Sequence, residues 1–221
     1  MSQQDTQTDQ PHRDEDDPDD QDDPELGLGP IPFAILVLFE AALAPVALLV
    51  GALLHQHPLA DFAWNGNAAL AGVLAALPML ALLGLIVYWP VGPLKRIRDY
   101  FDQELAPALH GCEWPDLGVL SVAAGVGEEM LFRGVIQGVL MRLLGPSLGI
   151  VLAGALFGVL HPVSLSYVVL ASLLGMYLGV VWWLSCNLLT VMVAHAVYDL
   201  VALVILLHAR AVADEDDNRP A

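Results

Sequence analysis

The chain has 221 residues, a hydrophobic fraction of 57%, a mean hydropathy of +0.62 and a formal net charge of -17. That apolar share excludes an ordinary soluble globule and predicts an all-α, polytopic transmembrane bundle; the acidic balance argues against nucleic acid or anionic lipid headgroups as partners. The charge is local, since eleven of the 25 acidic residues precede Gly27 and four more form Asp214-Glu215-Asp216-Asp217. Residues 1–27 and 211–221 therefore read as solvated, disordered acidic tails around a transmembrane domain over 28–210. Acids also stand where a signal peptide needs a cationic region, so the first span is expected to serve as its own insertion signal.

Hydropathy and breakers predict about six spans in chain order. Ile31 to Leu54 is the first, interrupted by Glu40 and Pro45, and Ala68 to Trp89 the second. Gly92 to Ala106 changes character: Lys95, Arg96, Arg98, Asp99, Asp102 and Glu104 alternate with Leu94, Ile97, Tyr100, Phe101 and Leu105 in helical rhythm. Such a pattern predicts an amphipathic helix lying on the membrane surface and ending at Pro107. The third span, Leu117 to Leu144, carries Glu128, Glu129 and Arg133 in an otherwise apolar run, with Arg142 near its end. Gly145-Pro146 turns the chain into a short fourth span, Ser147 to His161, stopped by Pro162. Leu165 to Leu184 and Leu188 to His208 complete the set. Lys95, Arg96 and Arg98 lie after an even number of spans, as does Arg210, so the positive-inside rule places both sites and both termini in the cytoplasm. Arg142 then falls outside, and the membrane expected is the cell membrane.

Ionisable groups in a span are functional-site candidates by default, because charge in hydrocarbon costs about 3 kcal/mol or more per group. Three polar clusters meet that description. Glu129 and Arg133 share one helical face at i, i+4 and can pair, while Glu128 is rotated by about 100° and left free. Phe157 and His161 share a face just before Pro162, and His195 and Asp199 form a further i, i+4 pair. Gly125, Gly127, Gly154, Gly158, Gly175 and Gly179 allow the close helix approach that would let Glu128, His161, His195 and Asp199 converge. A carboxylate beside an imidazole can hold a water and take its proton, and a second imidazole can stabilise the oxyanion that follows. That set suffices for peptide hydrolysis.

The order Glu-Glu-x-x-x-Arg, Phe-x-x-x-His, His-x-x-x-Asp resembles the CAAX protease and bacteriocin-processing (CPBP, or ABI) family of intramembrane proteases. The likeness covers about 117–206, a core of four helices, and no motif outside it. It implies an intramembrane endopeptidase acting on a membrane-associated peptide, with Glu128 and His161 as water activators, His195 and Asp199 completing the site, and Glu129, Arg133 and Phe157 in support. Where the prenyl proteases of that family carry Asn, this chain has Asp199, which when ionised cannot donate to an oxyanion. The resemblance favours a metal-independent site; in a metallo-type alternative Glu128, His161 and His195 would hold zinc, although no His-Glu-x-x-His element is present. Two rivals carry different tests. A bacteriocin-immunity or scaffold protein would use the same pocket for binding and keep its phenotype in Glu128→Ala, and a proton-coupled transporter would show pH-driven flux. The remaining polar groups read more plainly. Glu40 is expected in a structural or lipid-interface role, His12, His55, His57, His110 and His208 as solvated, Trp182 and Trp183 as an interfacial belt, and Cys112 and Cys186 as free thiols.

Overall fold

The structure, a computed structural model, describes residues 32–217 apart from Pro90. The expected N-terminal tail, 1–27, lies outside the described residues. Within them the chain is helical and contains no strand. Helix α1 (Phe33–Leu53) and α2 (Gly66–Tyr88) lead to the short α3 (Pro93–Tyr100), which continues through a π-helical turn, Phe101–Leu105, and a last turn at Ala106–Ala108. Next, α4 (Trp114–Leu131) runs through a second π-helical turn, Phe132–Gln137, into α5 (Gly138–Leu144). Three more helices follow: α6 (Pro146–Val159), α7 (Leu165–Ser185) and α8 (Leu188–Asp217).

Local chemistry sets most of these boundaries. The Asn65 side chain accepts from the Asn67 N–H at 2.9 Å to open α2, and Glu113 and Asp116 form a reciprocal capping box at the start of α4. Gly145, at φ 83°, supplies the left-handed turn between α5 and α6. Ser164 caps α7, which ends at Cys186 in the left-handed region. Pro45 and Pro78 sit inside α1 and α2 without ending them.

Among the described residues four helices, α1, α2, α7 and α8 as far as Arg210, are long and apolar enough to cross a membrane, with mean hydropathy from 1.9 to 2.6. Their outer faces carry exposed Leu38, Leu49, Leu53 and Leu184, an apolar surface suited to lipid. The expected fourth span is α6, whose 14 residues reach only about 21 Å at 1.5 Å per residue. Two expectations differ from what is observed. The last helix runs on to Asp217 instead of stopping at His208, because Ala, Asp and Glu continue it and no Gly or Pro intervenes. Trp182 turns into the core while its neighbour Trp183 stays exposed, since successive helical residues point about 100° apart.

α4 is the centre of the bundle, packed on α1 on one side and α8 on the other; α2 lies against α8, and α6 pairs with α7. Small residues make these contacts close. A Cβ added at Gly125 would lie 2.8 Å from the Met192 carbonyl oxygen, and one at Gly158 would lie 2.6 Å from the Ser172 amide nitrogen. Backbone cannot yield as a flexible side chain does, so Gly158→Ala is expected to destabilise the protein by about 1–3 kcal/mol. At Gly118 an added Cβ meets nothing within 4 Å, and Gly118→Ala should be neutral or stabilising by up to about 1 kcal/mol. Unfolding midpoints of the two variants in detergent check the contrast.

The expected amphipathic helix forms at α3. Ile97 is buried there, and Phe101 is buried in the π turn that follows; Ile97 packs against Ile86 and Leu170. Lys95 pairs with Asp99 at 2.6 Å, and Arg98 lies 3.6 Å from Asp102. The Arg98 guanidinium also donates to the Val87 carbonyl at 3.1 Å.

Candidate active site

The lower half of α4 and the π turn after it supply the first cluster. Glu129 is fully buried, and its Oε1 accepts from Arg133 Nη1 at 2.8 Å. Arg133 Nη2 donates to the Gly175 carbonyl at 2.8 Å, and the guanidinium carbon lies 5.0 Å from the centre of the Phe157 ring. One turn further, Gln137 Nε2 donates to the Gly179 carbonyl at 3.0 Å. Arg133 and Gln137 thus pin the π turn to α7 at two successive turns. The extra residue in a π turn shifts the register of the side chains that follow.

The second and third clusters arrive from α6 and α8. His161 Nδ1 lies 2.7 Å from the carbonyl oxygen of Phe157, so that nitrogen carries the proton and Nε2 faces the cavity side. Glu128 Oε1 stands 3.6 Å from His161 Nε2, and Glu128 Oε2 stands 3.9 Å from His195 Nε2. Both separations exceed a direct hydrogen bond and suit a water touching the two groups together. His195 is anchored by Nδ1–H donation to Glu129 Oε1 at 2.8 Å, and its Nε2 is 3.4 Å from Asp199 Oδ2. Glu129 therefore links Arg133 on its own helix to His195 on α8 through one oxygen, Oε1, whereas Glu128 makes no direct hydrogen bond of this kind and stands 3.6 Å and 3.9 Å from the two imidazoles.

These groups border a cavity of about 280 Å³. Glu128, His161, His195 and Asp199 line it together with Phe157 and Tyr167, and Leu83, Ile86, Ile97, Phe101 and Leu206 make its apolar part. A small polar cluster at the end of an apolar cleft is the usual form of a site for an amphipathic ligand. Among the described residues no group of three or more His, Cys, Asp and Glu side chains is arranged to hold a metal ion.

Residues 111–201 match the family model described as Rce1-like, type II CAAX prenyl endopeptidase Rce1-like. Across this segment the chain is similar to that family. Neither the curated proteins nor the solved structures gave a match. The Rce1-like segment begins just before α4 and ends within α8, so it holds Glu128, Glu129, Arg133, Phe157, His161, His195 and Asp199. α1, α2 and α3 lie outside it, although they supply a wall of the cavity.

Two polar residues at this centre escaped the sequence reading. Gln137 is buried and bonded to α7; its position four after Arg133 in an apolar run was the available signal. Glu40 was set apart as a structural or lipid-interface residue, yet it lines the same cavity as Glu128. The groups that line the cavity with it come from distant helices, which spacing along the chain does not reveal. Phe157 takes part chiefly through its backbone carbonyl, which orients His161, and through its ring, 4.7 Å from the imidazole.

Proposed function

We propose that this protein is an intramembrane endopeptidase of the CAAX type that hydrolyses a peptide bond of a membrane-associated substrate with a water activated by Glu128 and His161. The observation that carries this reading is the approach of Glu128 Oε1 and His161 Nε2 to 3.6 Å at the wall of a largely apolar cavity. A water seated against both is held for attack, and Glu128 takes its proton as general base. The attacked carbonyl becomes an oxyanion, and a preorganised donor facing it lowers the barrier. His195 already commits Nδ1–H to Glu129, so it serves the oxyanion when Nε2 also carries a proton. Asp199, 3.4 Å from that nitrogen, stabilises the positive imidazolium by its negative charge. This gives Asp199 a role that needs no proton of its own. Arg133 holds Glu129 in place and does not touch the reacting atoms.

The reaction is tested with purified protein in lipid and a farnesylated CAAX-type peptide as probe, wild type beside Glu128→Gln, with and without a chelator. Cleavage by wild type, lost in Glu128→Gln and retained in chelator, is the expected result. Full cleavage by Glu128→Gln would contradict the assignment of the base; loss in chelator would make zinc part of the site.

The membrane orientation is part of the same proposal. Arg210 donates to the Asp102 backbone carbonyl, so the end of α8 and the basic α3 segment share one side, which the positive-inside rule makes cytoplasmic. Cys112 belongs to that side, and Cys186, in the α7–α8 turn beside the α1–α2 loop, to the other. In single-cysteine variants of intact cells, an impermeant maleimide should label the exposed Cys186 and reach Cys112 only after permeabilisation. Burial, and then Asp116, push the Cys112 thiol above its ordinary value, so less thiolate is present at neutral pH and labelling should accelerate as pH rises. Labelling of Cys112 alone in intact cells would invert the topology.

A further inference from the structure

Glu40 stands on α1 about 10 Å from its Phe33 end at 1.5 Å per residue, and it opens onto the cavity lined by Glu128, His161, His195 and Asp199. Its backbone carbonyl touches Gly127, where an added Cβ would also lie 3.0 Å from Leu43 Cβ. α1 is thereby clamped to α4 at the residue immediately before the proposed base. Glu40 Oε2 is buried and has no hydrogen-bond partner. The other cavity carboxylates each have an imidazole within 4.0 Å: His161 and His195 beside Glu128, and His195 beside Asp199. Glu129 is taken by Arg133 and His195. Among the described residues no ion pair of this kind reaches Glu40.

Peptide hydrolysis requires two proton movements. A base removes one proton from water, and the departing nitrogen must gain one, because an amide anion is too poor a leaving group to depart unprotonated. Resting on the hydrolytic reading above, we infer that Glu40 is a further catalytic residue of this site, the general acid that protonates the leaving amine. The water oxygen forms the new C–O bond as Glu128 takes one of its protons. The C–N bond then breaks, its electron pair goes to nitrogen, and nitrogen takes the proton of the Glu40 carboxyl. The proton held by Glu128 passes to Glu40 and resets both groups, while the second water proton remains on the new carboxyl group. A carboxyl outside any ion pair is suited to carrying that proton, and Glu40 and Glu128 line one cavity, through which the proton returns.

The test uses two probes with one acyl group: a farnesylated CAAX-type peptide, and the p-nitrophenyl ester of the same N-acylated farnesylcysteine, whose phenolate departs without a proton. Glu40→Gln should lower kcat on the peptide by about 10²-fold or more and leave the ester rate within about threefold of wild type. Glu40→Asp, which keeps a carboxyl group, should recover part of the peptide rate, as a packing role would not. Equal loss on both probes would overturn the inference, as would an undiminished peptide rate in Glu40→Gln. Failure of the hydrolytic reading looks different: Glu128→Gln would then retain both activities, or wild type would cleave neither probe.

Discussion

Glu128→Gln is expected to lower kcat on a farnesylated CAAX-type peptide by about 10²–10⁴-fold with KM changed far less. The side chain keeps its size and can still touch a water, but an amide cannot accept the water's proton. Its neighbours should stay in place, because the bonds that fix the site do not pass through Glu128. His161 is held by the Phe157 carbonyl, and His195 by Glu129. A parallel change in kcat and kcat/KM would mark an interaction made in the transition state. If KM rose while kcat held, Glu128 would be a binding group and the pocket a receptor for a peptide end. Steady-state rates measured by mass spectrometry of the released fragment separate these cases.

Arg133→Ala is expected to destabilise the protein by about 3–5 kcal/mol, the range for breaking a buried ion pair by removing one partner. Three attachments disappear together: the 2.8 Å bond to Glu129, the 2.8 Å bond to the Gly175 carbonyl, and the guanidinium over Phe157. The carboxylate left behind is fully buried and retains only His195. Arg133→Lys should recover little, since an ammonium lacks the planar fork that reaches Glu129 and Gly175 at once. Replacing both partners, as in Glu129→Gln with Arg133→Met, should cost less than Arg133→Ala alone, because no uncompensated charge remains. Unfolding midpoints in detergent measure all three; a double variant less stable than Arg133→Ala would show that the pair itself is favourable.

The sequence made the charged part of this site legible because charge is rare in apolar runs. Glu128, Glu129, Arg133, His161, His195 and Asp199 stood out for that reason, and i, i+4 spacing foretold the Glu129–Arg133 pair, which the structure contains. The same spacing could not tell that His195 bonds Glu129 through one nitrogen and approaches Asp199 with the other. The place of Glu40 at the cavity is not legible in the sequence because nothing near it in the chain is polar; its surroundings are assembled when Gly127 admits the α1 backbone. The π turn at Phe132–Gln137 was also invisible, since it reads as uninterrupted helix and changes only the register. Helix ends without Gly or Pro were read too early, as at His208, and the facing of adjacent tryptophans needed the packing of α7 to decide. Why the cavity extends to Ile97 and Phe101 follows from the amphipathic pattern of α3 only once its docking on α2 and α7 is seen.

The central claim, a water attacking directly under Glu128, is tested most directly by a single turnover in ¹⁸O-water with enzyme in excess of the farnesylated peptide. The account predicts one ¹⁸O in the newly formed carboxyl group of the first product and none in the protein. An unlabelled product, with ¹⁸O left in the Glu128 carboxyl after that same turnover, would instead make Glu128 the nucleophile of an acyl-enzyme and contradict the account.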